Sequence, residues 1–190
     1  MAVKTMPMST GTGQYNAGWH EVTIRHATAD VWTNPKGEAR RYIDLLFEGY
    51  PDNMNLRIYE AKNSETGEEF KLVNVFRYAM SGIIDKLDDP TGKKPILQYD
   101  DDVANLVGKH INVFIFKNQK GYNEFFDTIA PIEQEGKHYS FTADKVSALK
   151  ASAEKNFARS NKSNHLTNGT VTNGTTTTNN TSNEDLEIPF

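Results

Sequence analysis

The chain has 190 residues, enough for one domain of ordinary size with extra segments and too few for two well-buried cores. It contains no cysteine, which excludes disulfides and thiolate metal sites, and no run near the eighteen apolar residues that a membrane span needs. Formal net charge is -4, but Lys162 is the only basic residue after Arg159, against Glu184, Asp185 and Glu187; positions 1–159 hold 20 basic and 22 acidic residues, too even a balance for a protein that grips duplex DNA mainly through its phosphates.

Residues 1–17 are rich in Gly, Ser, Thr and Met without periodicity, which predicts a loose arm. They lack the apolar stretch of a signal peptide, so a cytoplasmic location is expected. "HEVTIRHATADVWT" alternates Val22 and Ile24 against Glu21, Thr23 and Arg25, predicting a strand that bends or bulges near Ala27. "NPKGEARR" carries turn signals, and "RYIDLLFEGY" alternates again with Ile43, Leu45 and Phe47 inward and Tyr42, Asp44 and Glu48 outward. "NLRIYEA" adds a third strand, with Leu56 and Ile58 opposite Arg57 and Tyr59. The period then changes: Leu72, Val75, Phe76, Ala79 and Ile83 follow helical spacing and predict a helix of about four turns over 70–84.

A short helical turn at "DDVANLVG" precedes the strand "KHINVFIFK", which places Ile111, Val113 and Ile115 on one face and Asn112, Phe114 and Phe116 on the other. "NQKGYN" is a turn and "NEFFDTIAPI" the returning strand. "SFTADKVSALKASAEKNFARS" predicts a terminal helix capped at Thr142, with a thin stripe of Val146, Leu149, Ala153 and Phe157 that packs on the outside of the domain. The domain at 18–159 thus reads as mainly β. Three meander strands, a helix, a closing hairpin and a C-terminal helix match the five-stranded Greek-key barrel called the OB-fold, with a generic α+β sandwich as the rival.

The two hairpin loops resemble one another. "WTNPKGEARRY" contributes Trp32, Lys36, Arg40, Arg41 and Tyr42; "FKNQKGYN" contributes Phe116, Lys117, Lys120 and Tyr122. In OB-folds such loops border the ligand groove on the face of strands 2 and 3, which here carries Tyr42, Arg57 and Tyr59. Aromatic rings offer stacking to unpaired bases, worth roughly 1–3 kcal/mol each, while Lys and Arg follow the phosphates; a duplex hides those base faces. Phe114 is a weaker candidate, because large aromatics on alternating strands more often cover a sheet, as Trp19 and Phe126 also do.

Catalysis finds little support. The run Asp100, Asp101 and Asp102 could in principle hold Mg²⁺ for phosphodiester cleavage, but adjacent carboxylates point in different directions and acids favour a helix start. The five histidines show no metal-ligand spacing, and no nucleophile motif is present. Neither a metal nor another cofactor is expected.

Residues 160–183, with eight Thr and seven Asn, have almost nothing to bury and should form a disordered spacer. At 184–190 the chain reads "EDLEIPF", in which Pro189 keeps Ile188 extended so that Ile188 and Phe190 stand out as anchors, with Asp185 and Glu187 suited to a cationic rim on a partner. This stretch resembles the acidic C-terminal tip of bacterial single-stranded DNA-binding proteins. "GWHEVTIRHATADVW" and "KGYNEF" resemble phage-encoded single-stranded DNA-binding proteins of replication and recombination. The resemblance implies a barrel that coats single-stranded DNA and a tip that recruits replication, repair or recombination enzymes. The extra helix from Thr142 and the Asn/Thr-rich linker depart from the bacterial pattern and leave a homo-oligomer open. The competing expectation is an OB-like adaptor that binds protein or RNA.

Overall fold

The computed structural model describes residues 15–87 and 96–167. The fold is mainly β, with strands β1 (Gly18–Thr33), β2 (Ala39–Phe47), β3 (Leu56–Tyr59), β4 (Ile83–Leu87), β5 (Ile96–Tyr99), β6 (His110–Lys117) and β7 (Asn123–Ala130). Helix α1 (Lys71–Tyr78) separates β3 from β4, a 3₁₀ turn (Val103–Leu106) precedes β6, and helix α2 (Ala143–Thr167) follows β7. Five strands make one antiparallel sheet in the order β3-β2-β1-β6-β7, while β4 and β5 form a separate two-stranded ladder.

Strand β1 serves two neighbours in turn. Its first six positions, Gly18 to Thr23, pair with β6; from Ile24 onward it pairs with β2, and a register shift separates Ile24 from His26. The extra residue of such a bulge switches the side-chain parity and bends the strand. That is why Val22 and Ile24 are buried before it and Ala27 after it. The bend turns one face of the sheet inward around Ile24, Leu45, Phe47, Leu56, Ile58, Ile111 and Val113, all with essentially no exposure. Burying one such side chain contributes about 1.5–3 kcal/mol, and Leu45→Ala in this setting would cost about 2–5 kcal/mol. Edges β3 and β7 approach one another, and α1 packs beside both, yet no ladder joins them among the described residues, so the sheet is not closed.

Helix α1 is half the length that its apolar spacing predicts. Its start is held by Glu69, whose carboxylate accepts the N–H groups of Leu72 (2.7 Å) and Val73 (3.0 Å). Its end is a Schellman turn: Met80 takes a left-handed φ of 48°, the Met80 N–H bonds the Arg77 carbonyl, and the Ser81 N–H bonds the Phe76 carbonyl. Gly82 then passes so near β5 that a Cβ would stand 2.3 Å from the Asp100 carbonyl oxygen, which requires glycine. Ile83, which fits the helical period, therefore opens strand β4 instead. This hairpin is an element the sequence pattern did not predict.

Helix α2 lies on the outer face of β6 and β7. Val146 and Ala153 are buried and Leu149 half-buried, as the apolar stripe predicts. Asn112, on the side of β6 away from the core, is buried beneath α2; its Nδ2 donates to the Pro131 carbonyl (2.7 Å) and its Oδ1 accepts from Lys150 Nζ (2.8 Å). The helix continues through Thr167, so the predicted spacer stays helical past Ser160. At the other end, Tyr15 of the predicted arm is docked: it stacks on Tyr50 at 4.5 Å and donates to the Gly49 carbonyl. The rest of the arm, the spacer beyond Thr167 and the tip with Asp185, Glu187, Ile188, Pro189 and Phe190 lie outside the described residues.

Candidate nucleic-acid interface

The bulge in β1 sets what stands on the outer face of the β1–β2–β3 ladder. Beyond it, Thr28, Asp30 and Trp32 project outward, opposite Asp44, Tyr42 and Arg40 of β2 respectively. Tyr42 and Asp44 in turn oppose Tyr59 and Arg57 of β3. Four of the predicted site residues meet here. Tyr59 contacts Tyr42 at 5.7 Å and Trp32 at 6.1 Å between ring centres, and the Arg57 guanidinium lies 4.1 Å over the Tyr42 ring. Trp32 remains 42% exposed.

Charge on this face is arranged in pairs. Asp44 takes two parallel bonds from Arg57, Nε at 2.8 Å and Nη2 at 2.6 Å, and holds that guanidinium well above its ordinary pKa. The fork holds the Arg57 guanidinium over the Tyr42 ring, beside rings tilted by 56° and 68° to one another. Asp30 Oδ2 faces the Tyr42 hydroxyl at 3.4 Å; desolvation, followed by the charge of Asp30, raises the Tyr42 pKa. The two carboxylates belong to the site although the sequence reading did not include them. Their signal was available, since Asp30 and Asp44 share parity with Trp32 and Tyr42.

Arg41 points the other way. It donates to Asp101 Oδ2 at 2.8 Å and lines a small cavity of about 90 Å³ with Glu60, Tyr99 and Asp101. Its pKa is raised, first by the Asp101 hydrogen bond. The three adjacent aspartates have separate tasks. Asp101 holds Arg41, Asp102 caps the 3₁₀ turn through the Ala104 N–H (2.9 Å), and Asp100 accepts from the Asp102 N–H and from Asn105 Nδ2. Among the described residues no group of three or more acidic or histidine side chains is placed to hold a metal ion.

The two loops share one hydrogen-bond circuit. In Asn34-Pro-Lys-Gly-Glu38, Asn34 Oδ1 accepts the N–H groups of Lys36 and Glu38, both at 2.9 Å, and the Gly37 N–H bonds the Asn34 carbonyl. In Asn118-Gln-Lys-Gly-Tyr122, Asn118 Oδ1 accepts from Lys120 (2.9 Å) and Tyr122 (3.0 Å), and the Gly121 N–H bonds the Asn118 carbonyl. Gly37 and Gly121 take the same left-handed φ, 83° and 82°. Each loop therefore lifts its lysine, Lys36 or Lys120, on a rigid turn. Lys36, Arg40, Lys117 and Lys120 form no ion pair among the described residues, and Tyr122 is 67% exposed.

The loops do not meet. The first follows the end of β1, whereas the second follows β6 beyond Ile115, which pairs with Gly18 at the start of β1. Only the first loop adjoins the Trp32–Tyr59–Tyr42–Arg57 array. Phe114 faces helix α2 instead. It packs on Trp19 (5.4 Å) and on Phe157 of α2 (5.2 Å), and Phe116 and Phe126 each approach Phe157 to 5.1 Å. Trp19 Nε1 donates to Glu154 of α2 at 2.8 Å. These rings fix the helix to the sheet.

No helix among the described residues is long and apolar enough to cross a membrane. No known family model matches the chain, and no curated protein matches it.

Proposed function

We propose that this protein binds single-stranded DNA without catalysis, coating it during phage DNA replication, recombination or repair in the cytoplasm of a bacterial host. The observation that carries the reading is the outward array of exposed Trp32 and half-buried Tyr42 and Tyr59, with the Arg57 guanidinium over the Tyr42 ring. Such a surface offers aromatic rings to unpaired bases, and stacking on them does not depend on base identity. Arg57 joins the platform as a stacking group, since Asp44 engages two of its donors and offsets its charge. The phosphate contacts then fall to Lys36 and Arg40 beside the array, which form no ion pair among the described residues, and to Lys117 and Lys120 if the strand extends along β1 to the second loop.

This reading takes the unclosed five-stranded sheet as an OB-fold-like barrel. With the β4–β5 hairpin set aside, β6 returns beside β1 to give the spatial order of a Greek key, and α1 sits where the edges β3 and β7 approach. In that barrel the outer face of β2 and β3 is the ligand face. The acidic tip at 184–190 would recruit replication or repair enzymes through Ile188 and Phe190, as its resemblance to bacterial single-stranded DNA-binding proteins implies. A second reading, an adaptor for protein or RNA, draws on the carboxylates of Asp30 and Asp44 in the middle of the face.

Fluorescence anisotropy with labelled single-stranded DNA, the matching duplex and the matching RNA, repeated over a salt series, tests the proposal. Single-stranded DNA should bind at least about tenfold more tightly than duplex, with affinity falling as salt rises. Equal affinity for single strand and duplex would sink it, and a preference for RNA would favour the adaptor.

A further inference from the structure

Asp30 is out of place on a face that holds a polyanion. Pairing puts it opposite Tyr42, in one cross-strand row with Tyr59, and Trp32 is the next outward residue on its own strand. It is exposed, and no Lys or Arg pairs with it among the described residues. Its Oδ1 accepts the Val31 N–H at 2.7 Å and its Oδ2 meets the Tyr42 hydroxyl only at 3.4 Å. A carboxylate has about four acceptor positions, so capacity remains open between the rings. Asp44 differs, because Arg57 cancels its charge and Asn55 adds a further donor. An unneutralised carboxylate amid stacking rings repels phosphate, yet it is well placed for the edge of a base lying on those rings.

We propose that Asp30 reads that edge, accepting hydrogen bonds from exocyclic amino groups, so that amino-bearing bases are held more tightly than thymine. Cytosine presents its N4 amino group, adenine its N6 amino group, and guanine an amino group beside a ring N–H. Thymine presents two carbonyls around one N–H, and a carboxylate at that edge faces oxygen lone pairs. The rings themselves stack with any base, so the preference would come from Asp30 alone. The inference rests on the single-strand reading above and adds a base preference to it.

The test is binding of the full chain and of Asp30→Asn to oligo-dC and oligo-dT of about twenty nucleotides, at neutral pH and one salt concentration. Both oligomers are unpaired pyrimidines, so they differ mainly in the edge presented. The unaltered protein should bind oligo-dC roughly three- to tenfold more tightly than oligo-dT. Asp30→Asn should bring the ratio to about one or invert it, since an amide can donate to a thymine carbonyl. As an exposed substitution it should melt within about 2 °C of the unaltered protein. An equal gain on both oligomers would mean that Asp30 only repels phosphate, and would overturn the inference while leaving single-strand binding intact. A ratio at or below one in the unaltered protein would overturn it too. Failure of the unaltered, folded protein to bind either oligomer would instead remove the single-strand reading itself.

Discussion

Two faces of this sheet carry aromatic clusters, and they have opposite fates. On the outer side of β6 and β7, Trp19, Phe114, Phe116 and Phe126 close under Phe157 of helix α2. On the outer side of β1 to β3, Trp32, Tyr42 and Tyr59 make a similar cluster with no helix above it among the described residues. Composition separates the two in a physically sensible way. The covered cluster uses Phe, which has no polar group to satisfy, with a single Trp whose N–H is given to Glu154. The open cluster uses Tyr and Trp beside charged groups, which suits rings that stay wet on one side.

Removing Phe157 should break this contrast most severely. Phe157→Ala strips α2 of its contact with three rings and should lower unfolding free energy by about 2–4 kcal/mol, read from urea denaturation, while single-strand affinity under folding conditions changes less than about twofold. On the open face the effects should reverse. Tyr59→Ala or Trp32→Ala should weaken oligo-dT binding by roughly 1–3 kcal/mol in anisotropy titrations, with stability shifted by no more than about 1 kcal/mol. A Tyr59→Ala variant that binds normally would leave the open cluster as mere sheet surface.

Much of this contrast was legible in the sequence. The alternation in β1 to β3 gave the buried and outward sets, and Asn-x-Lys-Gly, repeated at 34–37 and 118–121, gave two turns of the same build. What period-two alternation does not carry is which outward face a later helix will cover. Phe114 and Tyr42 have the same pattern around them, and only Phe157, more than forty residues beyond Phe114, tells them apart. The overrun of α1 has another cause. Ile83 satisfies a helical period that the left-handed turn at Met80 and the crowding at Gly82 have already ended. The bulge in β1 is foreseeable from its sequence, and the opposite faces of Arg41 and Tyr42 follow from the period-two alternation of β2 itself, which a grouping by loop overlooks.

Acid–base behaviour gives a gentler separation of covered and open rings. Burial pushes the Tyr139 phenol, packed beside Phe141 and donating to the Arg77 carbonyl at 2.9 Å, up to about 12. Its folded pKa lies above the unfolded value near 10, so the stability it adds is fully present below about pH 10 and is lost as pH rises through about 12. Partial exposure limits the loss to roughly 1–2 kcal/mol. Tyr139→Phe should flatten the decline in urea midpoint over that range, and an unchanged slope would place the titration elsewhere.

The smallest effect concerns the two loops. Lys36→Ala should reduce the salt dependence of single-strand binding by about 0.7 in the logarithmic slope, as expected for one phosphate contact. Lys120→Ala should do the same only if the strand runs the length of β1 from one loop to the other. A response to Lys36 alone would confine the site to the β1–β3 face.

The chain has two tryptophans, one in each cluster, and this permits the most direct measurement. Trp19→Phe leaves Trp32 as the reporter, and Trp32→Phe leaves Trp19. Titrating both variants with a single-stranded oligonucleotide should quench the fluorescence of Trp19→Phe strongly, because bases stack on Trp32, and should leave Trp32→Phe nearly unchanged, because Trp19 lies beneath α2. Quenching that survives in Trp32→Phe and is absent from Trp19→Phe would put the nucleic acid on the covered face and contradict the account.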